Sequence, residues 1–327
     1  MLDTPLHEEV GQAPKPARTS PARIFIDGES GTTGLQIRER VETRSDVELM
    51  TIAPEKRKDV VAKREILSDA DLVILCLPDA AARETVALID AMDGKKPRII
   101  DASTAHRTAP GWVFGFPEMA KGQADAIRAA SKVSNPGCYP TGAIALIRPL
   151  VDAGLIAKDQ LITVNAVSGY SGGGKSMIEA FENGSAPSFE LYGLGFEHKH
   201  VPELQMHSGL AVRPIFIPSV GNFRQGMLVC VPLHLAQLPG KPTAEALEAA
   251  LRAHYGDGPS VRVVAGTEPN SFDRLEPESL NGTNQMELRV AGSRKHDQVV
   301  LIAKLDNLGK GASGAAVQSI ELMLGLA

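Results

Sequence analysis

The sequence predicts an α/β protein in two parts: a parallel sheet wound with helices, then an α+β domain on a larger, mostly antiparallel or mixed sheet. Three observations predict this. From residue 23, short apolar runs alternate with amphipathic ones, as repeated βα units require. Near residue 140 the texture changes to longer β-rich runs with helices among them. At 327 residues the chain also exceeds the roughly 100–200 that one domain usually holds.

Residues 1–22 (MLDTPLHEEVGQAPKPARTSPA) hold four prolines and little apolar content, so they read as a flexible tail. RIFID is the first strand, and the glycine turn GESGTTG leads from it into the helical LQIRERVETR. VELMTIA and DLVILCLP continue as strands, AARETVALIDAM as a helix and PRIIDAS as a strand. ALIRPLVDAGL is the helix that opens the second part. QLITVNAVSGY, AVRPIFIPSV, GMLVCVPLHL, SVRVVAG, QMELRVAG and QVVLIAKL are its strands, with the helix EALEAALRAHYG among them. The last run, GASGAAVQSIELMLGL, carries small and apolar residues at helical spacing and is expected to return to the first domain. The expected division is a cofactor domain over 23–140 and 303–327 and a substrate and oligomerisation domain over 141–302.

Net charge is −5, pI is near 5.9 and the basic residues are scattered, which argues against a nucleic-acid footprint. No apolar run is long enough for a membrane span or a signal peptide. The expectation is a cytoplasmic protein acting on small molecules. Three cysteines at unmatched spacings form neither a disulfide framework nor a zinc knuckle. Cys76 and Cys230 lie in continuous apolar strands and read as core packing.

Cys138 differs from both. In KVSNPGCYPTGAIALI a short strand meets the turn Asn135–Pro136–Gly137, and the cysteine falls where a helix begins. Backbone N–H groups and the macrodipole there favour a thiolate, so the thiol pKa is expected to fall toward neutrality. FEHKHVPEL supplies His198, His200 and Glu203 as acid–base partners. No other ligand-type cluster accompanies them, so no metal is expected.

The first βα turn spaces Gly28, Gly31 and Gly34 by three residues, so that its backbone N–H groups face a dinucleotide pyrophosphate at a helix start, as in a Rossmann-type domain. Ser30, Thr32 and Thr33 belong to the same turn. After the second strand comes PEKRK in place of a lone acid, and its cations, Arg57 among them, suit the extra phosphate of NADP(H) over NAD. In DASTAHR, Ser103 and Arg107 offer a hydroxyl and a fork for a phosphate or carboxylate.

Taken in order, GESGTTG, LCLPD, DASTAHR, SNPGCYPT, SGYSGGGKSM, EHKHVPE and DNLGKGASGAAVQ resemble the N-acetyl-gamma-glutamyl-phosphate reductases of the short type, over nearly all of Arg23 to Ala327. The resemblance implies a Cys138 nucleophile, NADP(H), and an acid–base group among His200 and His198, with His200 preferred because Glu203 would share its face on a helix. It also implies Ser103 and Arg107 at the substrate phosphate, Leu77, Pro78 and Asn307 at the dinucleotide, and Asn135, Gly169, Lys175 and Glu203 near the substrate. Relatives resemble homodimers or homotetramers. Aspartate-semialdehyde dehydrogenase is the alternative within the same chemistry.

GYSGGGKS, residues 169 to 176, spells a P-loop, and a P-loop nucleotide-binding protein is the alternative of another class. The motif follows a complete dinucleotide-type unit, however, and the only later apolar strand ending in an acid is VVLIAKLD, with Asp306. The expected role of these glycines is to pass close to the substrate.

Overall fold

The alternation that opens the chain folds into a parallel sheet. The computed structural model describes residues 20–326 except 30, 57–58, 267–273 and 294. The tail through residue 19 and the candidates Ser30 and Arg57 thus lie outside the described residues. Strands β1 (Ala22–Asp27), β2 (Val47–Met50), β3 (Leu72–Leu75), β4 (Arg98–Asp101), β5 (Val113–Phe114) and β6 (Lys132–Ser134) lie in the order β2-β1-β3-β4-β6-β5. Each neighbouring pair is parallel.

Helices α1 (Thr32–Val41), α2 (Val60–Asp69), α3 (Asp79–Asp90) and α4 (Gln123–Ala129) connect these strands. Strand alternation explains how both faces are covered. Ile24, Ile26, Leu72 and Ile74 pack with Ile37 of α1 and with Ile320 and Met323 near the chain's end, while Phe25, Val73 and Leu75 pack with Leu67 of α2 and Val86 and Ile89 of α3. β3 is therefore buried at every position, and its sequence, LVIL, is apolar throughout. Strand order reverses between β1 and β3, the switch point beside whose carboxyl ends an open α/β sheet binds ligands.

The second sheet runs β11-β12-β13-β10-β7-β9-β8, with β7 (Thr163–Gly169), β8 (Phe189–Leu191), β9 (Ile215–Gly221), β10 (Met227–His234), β11 (Val261–Val263), β12 (Met286–Gly292) and β13 (Gln298–Leu305). It is mixed: β7 pairs parallel with β9 and antiparallel with β10. Helix α5 (Cys138–Asp152) lies in its core, buried on nearly all sides, which accounts for the unbroken apolar text GAIALI. The remaining helices are α6 (Lys175–Glu182), α7 (Val201–Ser208), α8 (Ala244–Tyr255) and α9 (Gly314–Leu324). α9 does return to the first sheet, and a π-helical turn, Gly309–Ser313, joins it to β13.

Some expectations change in detail. The strand expected over VELMTIA stops at Met50, and β5 and α4 are too short to have stood out by periodicity. Residue 140 falls inside α5 and residue 303 inside β13, so α5 belongs with the second sheet from its first residue. Cys230 is not core packing: alternation along β10 gives the buried face to Val229 and Val231 and leaves Cys230 half-buried on the other face. Cys76, just past β3, packs beside the first core cluster, and burial pushes its thiol up to about 12.

Gly28 sets the first turn. Its φ is +86°, and a Cβ there would lie 2.4 Å from the Cys76 carbonyl oxygen. Gly28→Ala is therefore expected to destabilise the protein by about 2 kcal/mol or more, since strain and a backbone clash add. Thermal unfolding checks this; an unchanged midpoint would contradict the reading of the turn.

Candidate active site

The nucleophile candidate sits where the two sheets meet. β6 ends at Ser134, the Asn135 amide continues the ladder by donating to the Asp101 carbonyl (2.7 Å), and the turn delivers Cys138 as the first residue of α5. The Asn135 side-chain amide donates to the Ala312 carbonyl (3.0 Å), which ties this turn to the segment after β13. The backbone amides of Tyr139 and Cys138 pull the thiol pKa down, as a helix start allows. Yet burial pushes the thiol up to about 11, against the pull of those amides and of Arg107, with Glu203 adding to the rise. The expected fall toward neutrality is thus not met, because desolvation outweighs the helix start. A thiol held protonated needs a base.

α7 supplies the surroundings. Glu203, 1% exposed, accepts the Gly137 N–H at 3.0 Å and the Arg107 Nη1 at 2.5 Å. A Cβ at Gly137 would lie 2.6 Å from Arg107 Nη1 and 2.7 Å from both Glu203 Oε1 and His200 Nε2, so three candidate side chains close on this position and any larger residue would displace them. Burial pushes the Glu203 carboxyl up, and Arg107 and the Gly137 N–H restrain it.

His200 precedes the first turn of α7, and its Nδ1 is buried without a partner. Burial first, then the charges of Arg107, His198 and Lys199, pull its pKa well below the usual 6.5, while His198 is pulled to about 4 by burial and Lys199. Both rings are therefore neutral at pH 7, the state that accepts a proton from a thiol. The His200 amide donates to His198 Nδ1 at 3.2 Å, and both rings lie against Tyr139. His200, more deeply buried and touching Gly137, is the better placed of the two.

These groups line a cavity of about 320 Å³. Thr32 and Thr33 of the first turn line it together with Arg107, Asn135, Cys138, His198, His200 and Tyr192. Gly169, the loop 171–174 and Asn307 close the remainder. Three buried polar atoms here have no partner, namely Arg107 Nε, Asn135 Oδ1 and His200 Nδ1, and such atoms mark where a polar ligand belongs. Asn307 reaches the cavity with its amide already engaged: it accepts the Gly226 N–H (2.7 Å) and donates to Ser171 Oγ (3.0 Å), which clamps the glycine loop.

On the other side of the first turn lies a cavity of about 220 Å³ between Gly28, Glu29, Thr51, Ile52, Lys63 and Leu77. α1 starts at Gly31 with no side-chain cap and no acid in its first turn, so its N-terminal donors remain open to an anion. The turn thus borders two cavities, as a dinucleotide spanning it requires. Thr51 stands after β2, and the nearby acids are neutralised, Asp27 by Lys63 (2.6 Å) and Glu29 by Arg38 (2.6 Å). Of the other cofactor candidates, Gly31 caps α1, Gly34 lies inside it and Pro78 caps α3, none of them lining either cavity.

Three substrate candidates are not brought to the cavity wall. Ser103 Oγ donates to Asp101 (2.8 Å) and accepts the Ala105 N–H, Lys175 is exposed at the start of α6, and Glu203 lies beneath the turn. The start of the P-loop spelling is tied to the segment before β10 instead of standing open. The amides of Gly169, Tyr170 and Ser171 donate to the carbonyls of Gly226, Phe223 and Arg224, at 2.9, 3.0 and 3.0 Å. The site gains Tyr192, which donates to the Tyr139 hydroxyl at 3.2 Å and stands in no pattern that marks it beforehand, and Ser171, which lies inside the GYSGGGKS motif without being singled out there.

Residues 23–128 match the family model of the semialdehyde dehydrogenase NAD binding domain, and residues 138–307 that of the semialdehyde dehydrogenase dimerisation domain. The chain therefore belongs to the semialdehyde dehydrogenase family. Its relatives there are N-acetyl-gamma-glutamyl-phosphate reductases. That of Burkholderia lata is 52% identical, covering 93% of this chain and 96% of its own, and that of Brucella ovis is 52% identical over 93% and 99%. N-acetyl-gamma-glutamyl-phosphate reductase 2 of Pseudomonas putida is 51% identical over 92% and 96%. Aspartate semialdehyde dehydrogenase II of Vibrio cholerae, solved with ASA, superposes with a TM-score of 0.71 at 16% identity, covering 94% of this chain and 99% of that one. The aspartate semialdehyde dehydrogenase of Candida albicans, solved with NADP, gives 0.67 at 14%, covering 93% and 99%. At such identities these two show the shared fold alone.

With its thiol near 11, Cys138 of the free protein is expected to react with iodoacetamide at a rate that climbs steadily from pH 7 to 9. Mass mapping of the alkylated peptide against pH checks this, and a plateau below pH 8 would contradict it.

Proposed function

We propose that the protein catalyses the NADPH-dependent reductive dephosphorylation of N-acetyl-L-glutamyl 5-phosphate to the 5-semialdehyde, a step of arginine biosynthesis, in the cytoplasm. The observation that carries this reading is Cys138 at a helix start, in a cavity it shares with two neutral histidines, an arginine and the first βα turn. Relatives 50–52% identical over most of the chain bear the reductase name, and this favours the longer N-acetylated substrate over aspartate semialdehyde.

His200 takes the Cys138 proton as the sulfur attacks the acyl carbonyl, and His198 is the neighbouring alternative. The C–S bond forms, the bond to the phosphate oxygen breaks, and phosphate leaves with Arg107 as its cationic partner. The amides at the start of α5 face the developing oxyanion. NADPH, when bound, supplies the hydride that reduces the resulting thioester. The protonated histidine then returns its proton as the C–S bond breaks and the aldehyde departs. Residues suited to the dinucleotide are Gly28, Leu77 and the first turn of α1, with Thr32 and Thr33 toward the nicotinamide end.

We assign the cofactor to the first sheet with α9, and substrate and subunit contacts to the second sheet, in a homodimer or homotetramer. The dimerisation family model over residues 138–307 supports self-association.

The test follows NADP reduction with N-acetyl-glutamate semialdehyde and phosphate, then with aspartate semialdehyde. Turnover with the acetylated substrate is expected to be at least about a hundredfold faster, since an unfilled polar site discriminates strongly; equal rates would sink the substrate assignment. Cys138→Ser should keep NADPH binding and lose turnover by about 10³-fold or more. Activity within tenfold of the parent would remove the thioester step.

A further inference from the structure

Arg107 is gripped at both ends by one face of α7. Glu203, in its first turn, holds the guanidinium at 2.5 Å. One helical turn later, His207 Nε2 lies 2.7 Å from the Arg107 carbonyl oxygen. A carbonyl only accepts, so the Nε2 carries the proton. The spacing of i and i+4 brings Glu203 and His207 to the same side of the helix. His207 is itself fixed: its ring stacks on Phe114 at 3.8 Å between centroids and 19° between planes, and its own carbonyl accepts from Arg148 Nη1 at 3.3 Å. Phe114 belongs to β5 of the first sheet, so the stack joins α7 to the other half of the molecule.

We propose that His207 is a positioning residue for the substrate phosphate. It touches neither substrate nor sulfur, and it acts by fixing the backbone of Arg107. A side chain that must point a planar fork at a leaving phosphate loses alignment when its backbone turns, and small misplacements at a reacting centre are costly. Glu203 holds the guanidinium and not the main chain; the turn around Arg107 is held by the His106 ring on Asp101 (2.5 Å) and the Ala109 N–H on the His106 carbonyl (3.2 Å), and it is His207 that bonds the Arg107 carbonyl itself. The proposal rests on the reading of Arg107 as the phosphate partner.

Two variants separate the hydrogen bond from the ring. His207→Phe keeps a ring to stack on Phe114 and removes the donor, whereas His207→Gln keeps an N–H donor and removes the ring. The readout is the KM for inorganic phosphate in the reverse direction, with kcat and the NADP KM measured alongside. His207→Phe is expected to raise the phosphate KM about fivefold, the loss of one neutral hydrogen bond, with the NADP KM unchanged. His207→Gln is expected to stay within about twofold. A phosphate KM unmoved by His207→Phe, or raised by His207→Gln as much as by Phe, overturns the proposal and assigns the residue to packing. Should His207→Phe fail to fold, His207→Leu, which also lacks the donor, takes its place: it is expected to raise the phosphate KM by a similar factor, and an unmoved KM overturns the proposal. Arg107→Ala serves as the reference: a raised phosphate KM upholds the underlying reading whatever His207 does, and an unchanged one removes both.

Discussion

A buried carboxylate beneath a glycine holds the site together. Glu203 takes the Gly137 N–H and the Arg107 guanidinium at once, so the turn before Cys138, the arginine and the start of α7 are tied by one side chain. Burying such a pair is expensive, and removing either partner would strand the other charge away from water. The arrangement therefore favours one geometry over many. Gly137 is part of the same constraint, since any larger residue would push Arg107, Glu203 and His200 off the turn.

That constraint sits where two architectures meet. β6 is the last parallel strand to enter the first sheet, and α5 is the central helix of the second, so Cys138 stands where the chain passes from one to the other. The chain then crosses the second sheet and comes back through the turn 309–313 to place α9 on the first. Asn307, just before that turn, fastens the glycine loop, and Asn135 fastens the turn to Ala312. The first βα turn, at the switch point of the parallel sheet, borders this cavity on one side and the Gly28 cavity on the other.

Much of this was legible beforehand, because the relevant signals are local. A glycine at φ +86°, a cysteine at the first position of a helix and two histidines ahead of a Pro-Glu helix start are each written in a few consecutive residues. What was not legible depends on groups far apart in sequence. The thiol of Cys138 rises because distant elements bury it, which a helix-start argument leaves out. Ser103 turns inward because Asp101, two residues back, takes its hydroxyl. His207 gains a role only when α7 meets Arg107, 100 residues earlier. Cys230 stands in an apolar run, and only the strand's pairing decides which face it takes.

The central claim is that Cys138 carries the acyl group. Intact-mass analysis of the protein mixed with N-acetyl-glutamyl phosphate, with no reduced cofactor present, tests it most directly. The account predicts a single acyl adduct that maps to the peptide bearing Cys138 and disappears when NADPH is added. A protein that stays unmodified while phosphate is released, or an adduct on another residue, would contradict it.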